Sequence, residues 1–393
     1  MIFRTPTPTD TELIVVAQIE DLKQRLRYLV SETPRRWQGL LSRAMFARAI
    51  RGSNSIEGYN VSESDAIAAA AREQPLDADK ATWAAIEGYR DAMTYVLQLA
   101  TDPHFRYSTD LLRALHFMMV KHDLSKNPGK WRPGVIYVRD DETGKVVYEG
   151  PTAEIIPLLM DELVQSLNDS EARNQAPMVR AAMGHLNLVM IHPFSDGNGR
   201  MGRCLQTLIL ARTWTMAAEF SSIEEYLGRN PRAYYDVLSD VGFGAWHPER
   251  EARKWVRFCL KAHFAQMTAM LRRSREMDKL WELLEHETET RGLPSRLVSA
   301  LADAALGFQV RNTTYRDIED LSENLASRDL RLAVNNGLLI PNGESRGRFY
   351  VAAPSILALR EQVREPREEI DPFLAVLDPR QGSLFRQNAG PAG

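Results

Sequence analysis

One short stretch, Ile191 to Arg203, gathers more reactive chemistry than any other part of this chain. It holds an imidazole (His192), a carboxylate (Asp196), two glycines (Gly197 and Gly199), an amide (Asn198) and two arginines (Arg200 and Arg203). Apolar, helix-compatible runs lie on both sides, Gly184 to Ile191 before it and Met201 to Trp214 after it. The spacing therefore predicts a loop between two helices, with Asn198 to Arg203 opening the second. A helix N-terminus presents unpaired N–H groups and the positive end of a dipole, which together favour an anion. Glycines without a Cβ let the backbone approach that anion. Two arginines a turn apart can fork onto phosphate oxygens. A lone carboxylate suits Mg²⁺, which takes its other ligands from substrate phosphates. A histidine, with an ordinary pKa of about 6.5, is the natural base for a hydroxyl near neutral pH. These residue types at this spacing point to phosphoryl or nucleotidyl transfer.

The run from His192 to Arg203 resembles the signature of the Fic family, His-x-Phe-x-(Asp/Glu)-Gly-Asn-Gly-Arg-x-x-Arg, at every fixed position. The resemblance implies a protein adenylyltransferase that moves AMP from ATP to a Tyr, Thr or Ser hydroxyl of a target protein and releases pyrophosphate. It implies that His192 deprotonates the hydroxyl and that Asp196 holds Mg²⁺. Gly197, Asn198, Gly199 and Arg200 would cradle the phosphates, and Arg203 would grip the γ-phosphate. The related Doc-type kinases break the glycine pattern, and both glycines are intact here. Fic relatives also include enzymes that remove AMP, the alternative activity.

The elements that must position this loop follow from periodicity and caps. Leu13, Val16, Ile19, Leu22, Leu26 and Leu29 have helical spacing from Thr11 to about Val30. A second helix over Gln38 to Glu57 ends in Ser53-Asn54-Ser55-Ile56-Glu57-Gly58, with Gly58 placed as a left-handed C-terminal residue. A glutamate at a helix C-terminus meets the negative end of the dipole; a cationic partner would make it better tolerated, and charge placement alone favours a solvated carboxylate. Ser53, Glu57 and Gly58 match the (Ser/Thr)-x-x-x-Glu-(Gly/Asn) inhibitory motif of Fic proteins, which implies that Glu57 pairs with Arg203 and blocks the γ-phosphate position. Further helices are expected from Ser62, over Lys80 to Leu99, from Ser108 to about His122, over Glu154 to Leu167, over Pro177 to Met190 and over Glu249 to Met277. His116, His122 and His185 read as ordinary helix residues supporting the fold.

Between Gly129 and Tyr148 the character changes. β-Branched and aromatic residues flank the turn-forming run Asp140 to Gly144, which signals a β-hairpin. In the resemblance this is the flap, 135–148, on which a target segment docks by strand addition, with Ile136, Tyr137 and Val138 as nucleotide contacts. Tyr234 and Tyr235, adjacent on a helix and about 100° apart, allow one deep side chain; the family implies that the pair lines the adenine pocket.

The expected fold is mainly α: a Fic-type helical bundle with a β-hairpin flap and a small C-terminal winged helix-turn-helix domain. The expected divisions are 1–100 (N-terminal helices with the inhibitory motif), 101–278 (catalytic core), 279–355 (winged-helix-like) and 356–393 (charged tail, disordered beyond Phe385). Six arginines face six acidic residues from Arg311 to Tyr350, so the basic footprint of a DNA reader is missing. A protein-interaction or dimer-packing role is favoured over a nucleotide-sensing, DNA-binding regulator. The family implies a homodimer and auto-AMPylation. The chain of 393 residues is 44% hydrophobic and 26% charged, with a net charge of −3, which excludes a global pull toward nucleic acid or anionic membrane. Cys204 and Cys259 read as core residues of a reducing compartment, and a cytoplasmic location is expected.

Overall fold

The computed structural model describes residues 1–28, 37–73, 77–139, 143–172, 175–213, 222–344, 348–367 and 370–377. The described residues are mainly helical, with two two-stranded antiparallel sheets. At the centre lie α7 (Pro177–Ile191) and α8 (Asn198–Thr213), joined by the loop 192–197. Almost every residue of both is buried, so neither presents the one-sided apolar stripe of a surface helix. Pro177 opens α7 at a position whose N–H has no helical partner. The two helices come close because Gly202 on α8 lies under His185 and Val189 of α7; a Cβ there would meet the imidazole at 2.6 Å.

Around this pair pack α4 (Lys80–Leu99), α5 (Thr109–Val120), α6 (Ile156–Ala172) and α10 (Pro231–Gly242). α5 begins where the Ser108 hydroxyl accepts from the Leu111 N–H at 3.1 Å. The long α11 (Arg253–Thr290) runs along the core, and its Trp255 indole donates to the Ala182 carbonyl at 2.7 Å. It is continuous through residues 278 and 279, so the expected division there falls inside one helix. α1 (Asp10–Arg27) opens on a Thr9–Glu12 capping box, and buried Glu12 also receives Arg253 and Arg257 of α11, each at 2.8 Å.

α2 (Gln38–Ile56) ends at Gly58, whose φ of +81° is the left-handed conformation expected there. It crosses α9 (Glu224–Arg229) at two glycines. A Cβ on Gly52 would meet the Glu224 carbonyl oxygen at 2.4 Å, and one on Gly228 would meet the Gly52 Cα at 2.5 Å. α3 (Glu63–Ala70), capped by Ser62, completes this layer. The expected hairpin is present as β1 (Tyr137–Arg139) and β2 (Val146–Glu149), paired Val138 to Tyr148; residues 140–142 of its turn lie outside the described residues.

The C-terminal unit contains α12 (Leu297–Ala305), α13 (Asn312–Glu319), α14 (Glu323–Asn335) and the hairpin β3 (Leu339–Asn342) with β4 (Phe349–Ala352). Val310 bridges to Tyr350 beside that hairpin. The segment from 356 carries the rest of α15 (Pro354–Gln362) and α16 (Pro372–Leu377); disorder beyond Phe385 falls outside the described residues. No helix among them is long and apolar enough to cross a membrane. Both cysteines are buried and unpaired.

The glycine crossing makes α2 sensitive to one methyl group. Gly52→Ala is expected to destabilise the protein by about 1–3 kcal/mol in urea unfolding, because its contacts are backbone atoms that cannot rotate away. Gly39→Ala on the same helix, where a Cβ meets nothing within 4 Å, should be neutral or slightly stabilising.

Candidate active site

The loop is built outward from the end of α7. His192 closes that helix in the left-handed conformation (φ 51°, ψ 56°), its N–H donating to the Leu188 carbonyl. A non-glycine residue there is uncommon and turns the chain sharply away from the helix axis. The His192 Nδ1 lies 3.1 Å from the Val189 carbonyl oxygen, which can only accept. Nδ1 therefore carries the proton, and Nε2 keeps its lone pair for an incoming hydroxyl. Burial holds the His192 pKa below its ordinary value, which favours the neutral base.

Asn198, the first residue of α8, closes the loop by a reciprocal pair with Phe194: its Oδ1 accepts the Phe194 N–H at 3.0 Å and its Nδ2 donates to the Phe194 carbonyl at 2.9 Å. Phe194 in turn stacks on His116 at 3.7 Å between ring centroids. The Gly129 N–H donates to His116 Nδ1 at 2.9 Å, so Nε2 must carry the proton that it gives to the Asp196 carbonyl at 3.0 Å. His116 is thus more than the ordinary helix residue expected: it is a buried, neutral strut under the loop, with burial pushing its pKa down to about 4. His122 is exposed. His185 lies in the core between Gln206 at 2.6 Å and the Tyr234 hydroxyl at 3.1 Å, and burial lowers its pKa to about 3.

Asp196 accepts the Gly197 N–H through Oδ1 at 2.7 Å and meets Lys126 Nζ through Oδ2 at 2.5 Å. Burial alone would raise its pKa, yet Lys126, with Arg200 and the Gly197 N–H, holds the carboxyl below its usual range. Among the described residues no three His, Cys, Asp or Glu side chains cluster as a metal cage. A single carboxylate beside anion-binding arginines fits only an ion that draws its other ligands from substrate and water, as Mg²⁺ does.

Both arginines of the helix opening are withdrawn from water. Arg203 donates to the Ser53 hydroxyl at 2.8 Å, to the Ser53 carbonyl at 2.9 Å and to Glu57 Oε1 at 2.6 Å. The end of α2 is thereby fastened to the opening of α8, and Glu57 has the cationic partner its position requires. Burial opposes the Arg203 charge, but Glu57 holds its pKa above the ordinary value. Gly199 sits in this contact, and a Cβ there would stand 2.1 Å from Glu57 Oε1. Arg200 differs: its side chain has no exposure, all three guanidinium nitrogens lack a hydrogen-bond partner among the described residues, and Asp196 is 4.0 Å away. The Tyr59 ring covers it at 5.0 Å, and the Tyr59 hydroxyl also receives Lys126 at 3.1 Å. A buried cation with idle donors is costly unless an anion joins it.

The hairpin is tied to the same loop from two sides. Arg132, buried, donates Nε to the His192 carbonyl at 2.7 Å and its terminal nitrogens to the carbonyls of Gly134 and Pro151. The Tyr148 hydroxyl donates to the Met190 carbonyl at 2.7 Å. Ile136 accepts the Gly150 N–H at 3.1 Å, while Tyr137 is exposed and Val138 half-buried. Of the tyrosine pair, Tyr234 is buried and Tyr235 is 47% exposed, as adjacent helix positions demand. The Tyr235 hydroxyl donates to the Ile56 carbonyl at 3.1 Å, which brings it to the end of α2. Sequence reasoning missed Lys126, Arg132, Tyr59 and His116 as parts of this site. Tyr59 and Arg132 had a signal, one following Gly58 directly and the other ending Gly129-x-x-Arg132, whereas Lys126 had none.

A helical body with a histidine-ended central helix, an anion-seeking helix start and a tethered hairpin is the architecture of Fic proteins. Residues 106–210 match the model of the Fic/DOC family. The fold is similar to that of a Fic family protein from Desulfovibrio desulfuricans G20, with a TM-score of 0.57 and 23% identity over 89% of this chain and 98% of that one. A Fic domain-containing signaling protein from Bacteroides thetaiotaomicron VPI-5482 has a TM-score of 0.55, with 21% identity over 65% of this chain and 96% of that one. In sequence the chain is 33% identical over 161 residues to protein adenylyltransferase fic-1 of Caenorhabditis briggsae, 40% of this chain and 30% of that protein. It is 30% identical over 210 residues to protein adenylyltransferase Fic of Aedes aegypti, 53% of this chain and 38% of that protein. The chain thus spans about a third of the length of these relatives.

The histidines make a pH prediction. Proton NMR of the His192 ring should give a midpoint below the ordinary value of about 6.5. His116 and His185 are neutral when folded and protonate more readily when unfolded. The unfolding free energy should therefore be full above pH 6.5 and fall as pH drops from there toward 4.

Proposed function

We propose that this protein is an adenylyltransferase that transfers AMP from ATP to a hydroxyl side chain of a target protein, and that Glu57 restrains it. The observation that carries this reading is the opening of α8. There Arg200 has three idle buried donors beside Gly197 and Gly199, within a loop whose histidine keeps a free Nε2. His192 Nε2 takes the proton as the target hydroxyl oxygen attacks the α-phosphorus of ATP. A new P–O bond forms, the bond from that phosphorus to the oxygen bridging to the β-phosphate breaks, and pyrophosphate leaves. Arg200 and the first N–H groups of α8 oppose the charge that develops on the phosphates. Asp196 would hold Mg²⁺, which when bound neutralises phosphate charge.

Arg203 is the group the inhibitory turn occupies. With its Nε and Nη2 engaged by Ser53 and Glu57 and only Nη1 left without a partner among the described residues, a γ-phosphate brought there would meet a carboxylate beside a mostly occupied guanidinium. Ile136, Tyr137 and Val138 of the flap and Tyr235 are proposed nucleotide contacts; Tyr234, 1% exposed and packed against Trp255 and Tyr235, is expected to stand behind them and not to touch the nucleotide. The target would dock along β1, whose surroundings expose Val135, Tyr137, Val146 and Val147 to solvent. The winged-helix-like C-terminal unit, balanced in charge, is proposed as a protein or self-contact surface and not a DNA reader. The two unpaired buried cysteines are in keeping with a cytoplasmic protein.

The test is label transfer to protein in lysate from ATP labelled at the α- or the γ-phosphorus. Glu57→Gly should raise α-label incorporation at least about tenfold, and His192→Ala should lower it by about 10²–10⁴. γ-Label on protein would make the enzyme a kinase instead. No incorporation with Glu57→Gly, together with release of AMP from a modified target, would reassign it to AMP removal.

A further inference from the structure

Away from the loop, a cleft of about 100 Å³ lies where α2, α3, α11 and α15 meet. α2 lends it Arg48 and Arg51, α11 lends Arg272 and Arg273, and Arg360, Arg364 and Arg367 come from α15 and the turn after it. Among the described residues that line it, seven guanidinium groups face two carboxylates, Glu63 and Glu276, in a chain whose net charge is −3.

Carboxylates are short here. Glu225 behind the cleft takes Arg273 at 2.6 Å through each oxygen, and also serves Arg229 at 2.7 Å and Arg48 at 3.6 Å. Glu276 is taken by Arg272, and the half-exposed Glu63 by Arg48 at 3.0 Å. Arg364 is paired with the exposed Glu361 at 2.9 Å, whereas among the described residues Arg51 reaches only the Val61 carbonyl at 3.2 Å, Arg360 only that of Ala305 at 2.8 Å, and Arg367 is in no ion pair. Burial, together with the neighbouring Arg273 charge, pushes the Arg48 pKa down. Like charges converging on one enclosed space are self-repelling, and an anion placed between them removes that cost. Forked donors arriving from several directions suit an anion with three or more oxygens better than a flat carboxylate. The volume admits one such group, with the apolar side chains of Leu41, Met277 and Leu280 beside it.

We propose that this cleft is a second anion site, independent of the 192–203 loop, that binds a phosphoryl group of a small ligand. Its walls belong to three parts of the molecule: the helix that carries Glu57, the long helix α11 and the C-terminal unit. An occupant therefore stiffens α2 from the side opposite the catalytic loop.

The test uses the full chain and inorganic phosphate as the probe, followed by titration calorimetry and by hydrogen exchange of the α2 amides. Wild type should bind, and Arg200→Ala should leave this binding event in place, since it removes only the loop's anion partner. Arg51→Ala combined with Arg367→Ala, both exposed side chains, should weaken the event at least about tenfold. Phosphate should slow exchange over residues 44–53 in wild type and not in the double variant. If the alanine pair melts early, Arg51→Lys with Arg367→Lys keeps the charge without the fork and should still weaken binding measurably. No binding by wild type, equal affinity in the double variants, or loss of all binding with Arg200→Ala would each overturn the proposal.

Discussion

Two guanidinium groups one helical turn apart, both removed from water, set the terms for the rest of this molecule. A buried arginine needs oxygen acceptors around it, and Arg203 takes three of them from a segment nearly 150 residues earlier in the chain. The N-terminal helices are therefore integral to the catalytic body, because they supply the acceptors that let α8 open inside the core. Arg200 has no such supply and relies on the face of Tyr59 for cover. Arg203 is answered by protein through two of its three nitrogens, and Arg200 through none among the described residues.

The same accounting explains why the hairpin stands where it does. The end of α7 leaves carbonyl groups without helical partners. Val189 is answered by the His192 ring, Met190 by the Tyr148 hydroxyl, and His192 itself by Arg132. Two of those donors belong to the hairpin and its approach, so finishing the helix and placing the hairpin are one structural act. The imidazole that finishes α7 also has its tautomer chosen by that bond.

Much of this was legible in the sequence because it is written in local patterns. The histidine-to-arginine run, the Ser53–Glu57–Gly58 helix end and the alternating residues around Tyr137 and Tyr148 each carry their meaning within a few residues. The charge of Glu57 at a helix end fitted a solvated carboxylate as well, and only family likeness pointed to Arg203 as its partner. Other features were illegible because they depend on what long-range packing brings together. Lys126 lies in a polar turn with nothing to mark it, and it reaches Asp196 only once the turn after α5 is folded against the loop. His116 looked like one more residue on an amphipathic helix, yet its two ring nitrogens join Gly129 to Asp196. The continuity of α11 was also hidden, since a change of sequence character near residue 279 suggested a break that the backbone does not make.

The glycine contact between α2 and α9 has a consequence for time as well as space. With Gly52 and Gly228 touching backbone to backbone, helix α2 cannot drift away from the core in small steps. Glu57, whose side chain is 22% exposed, can instead leave Arg203 by turning about its own bonds. Exposed side chains rotate in picoseconds to nanoseconds, and the 2.6 Å ion pair to Arg203 slows this one, whereas displacing a packed helix takes microseconds or longer. A brake of the kind proposed for Glu57 would then be released by turning a side chain and not by moving a helix. The strength of that proposed brake would be the free-energy difference between the paired and unpaired side chain, so activity would respond in graded fashion to anything that shifts that balance.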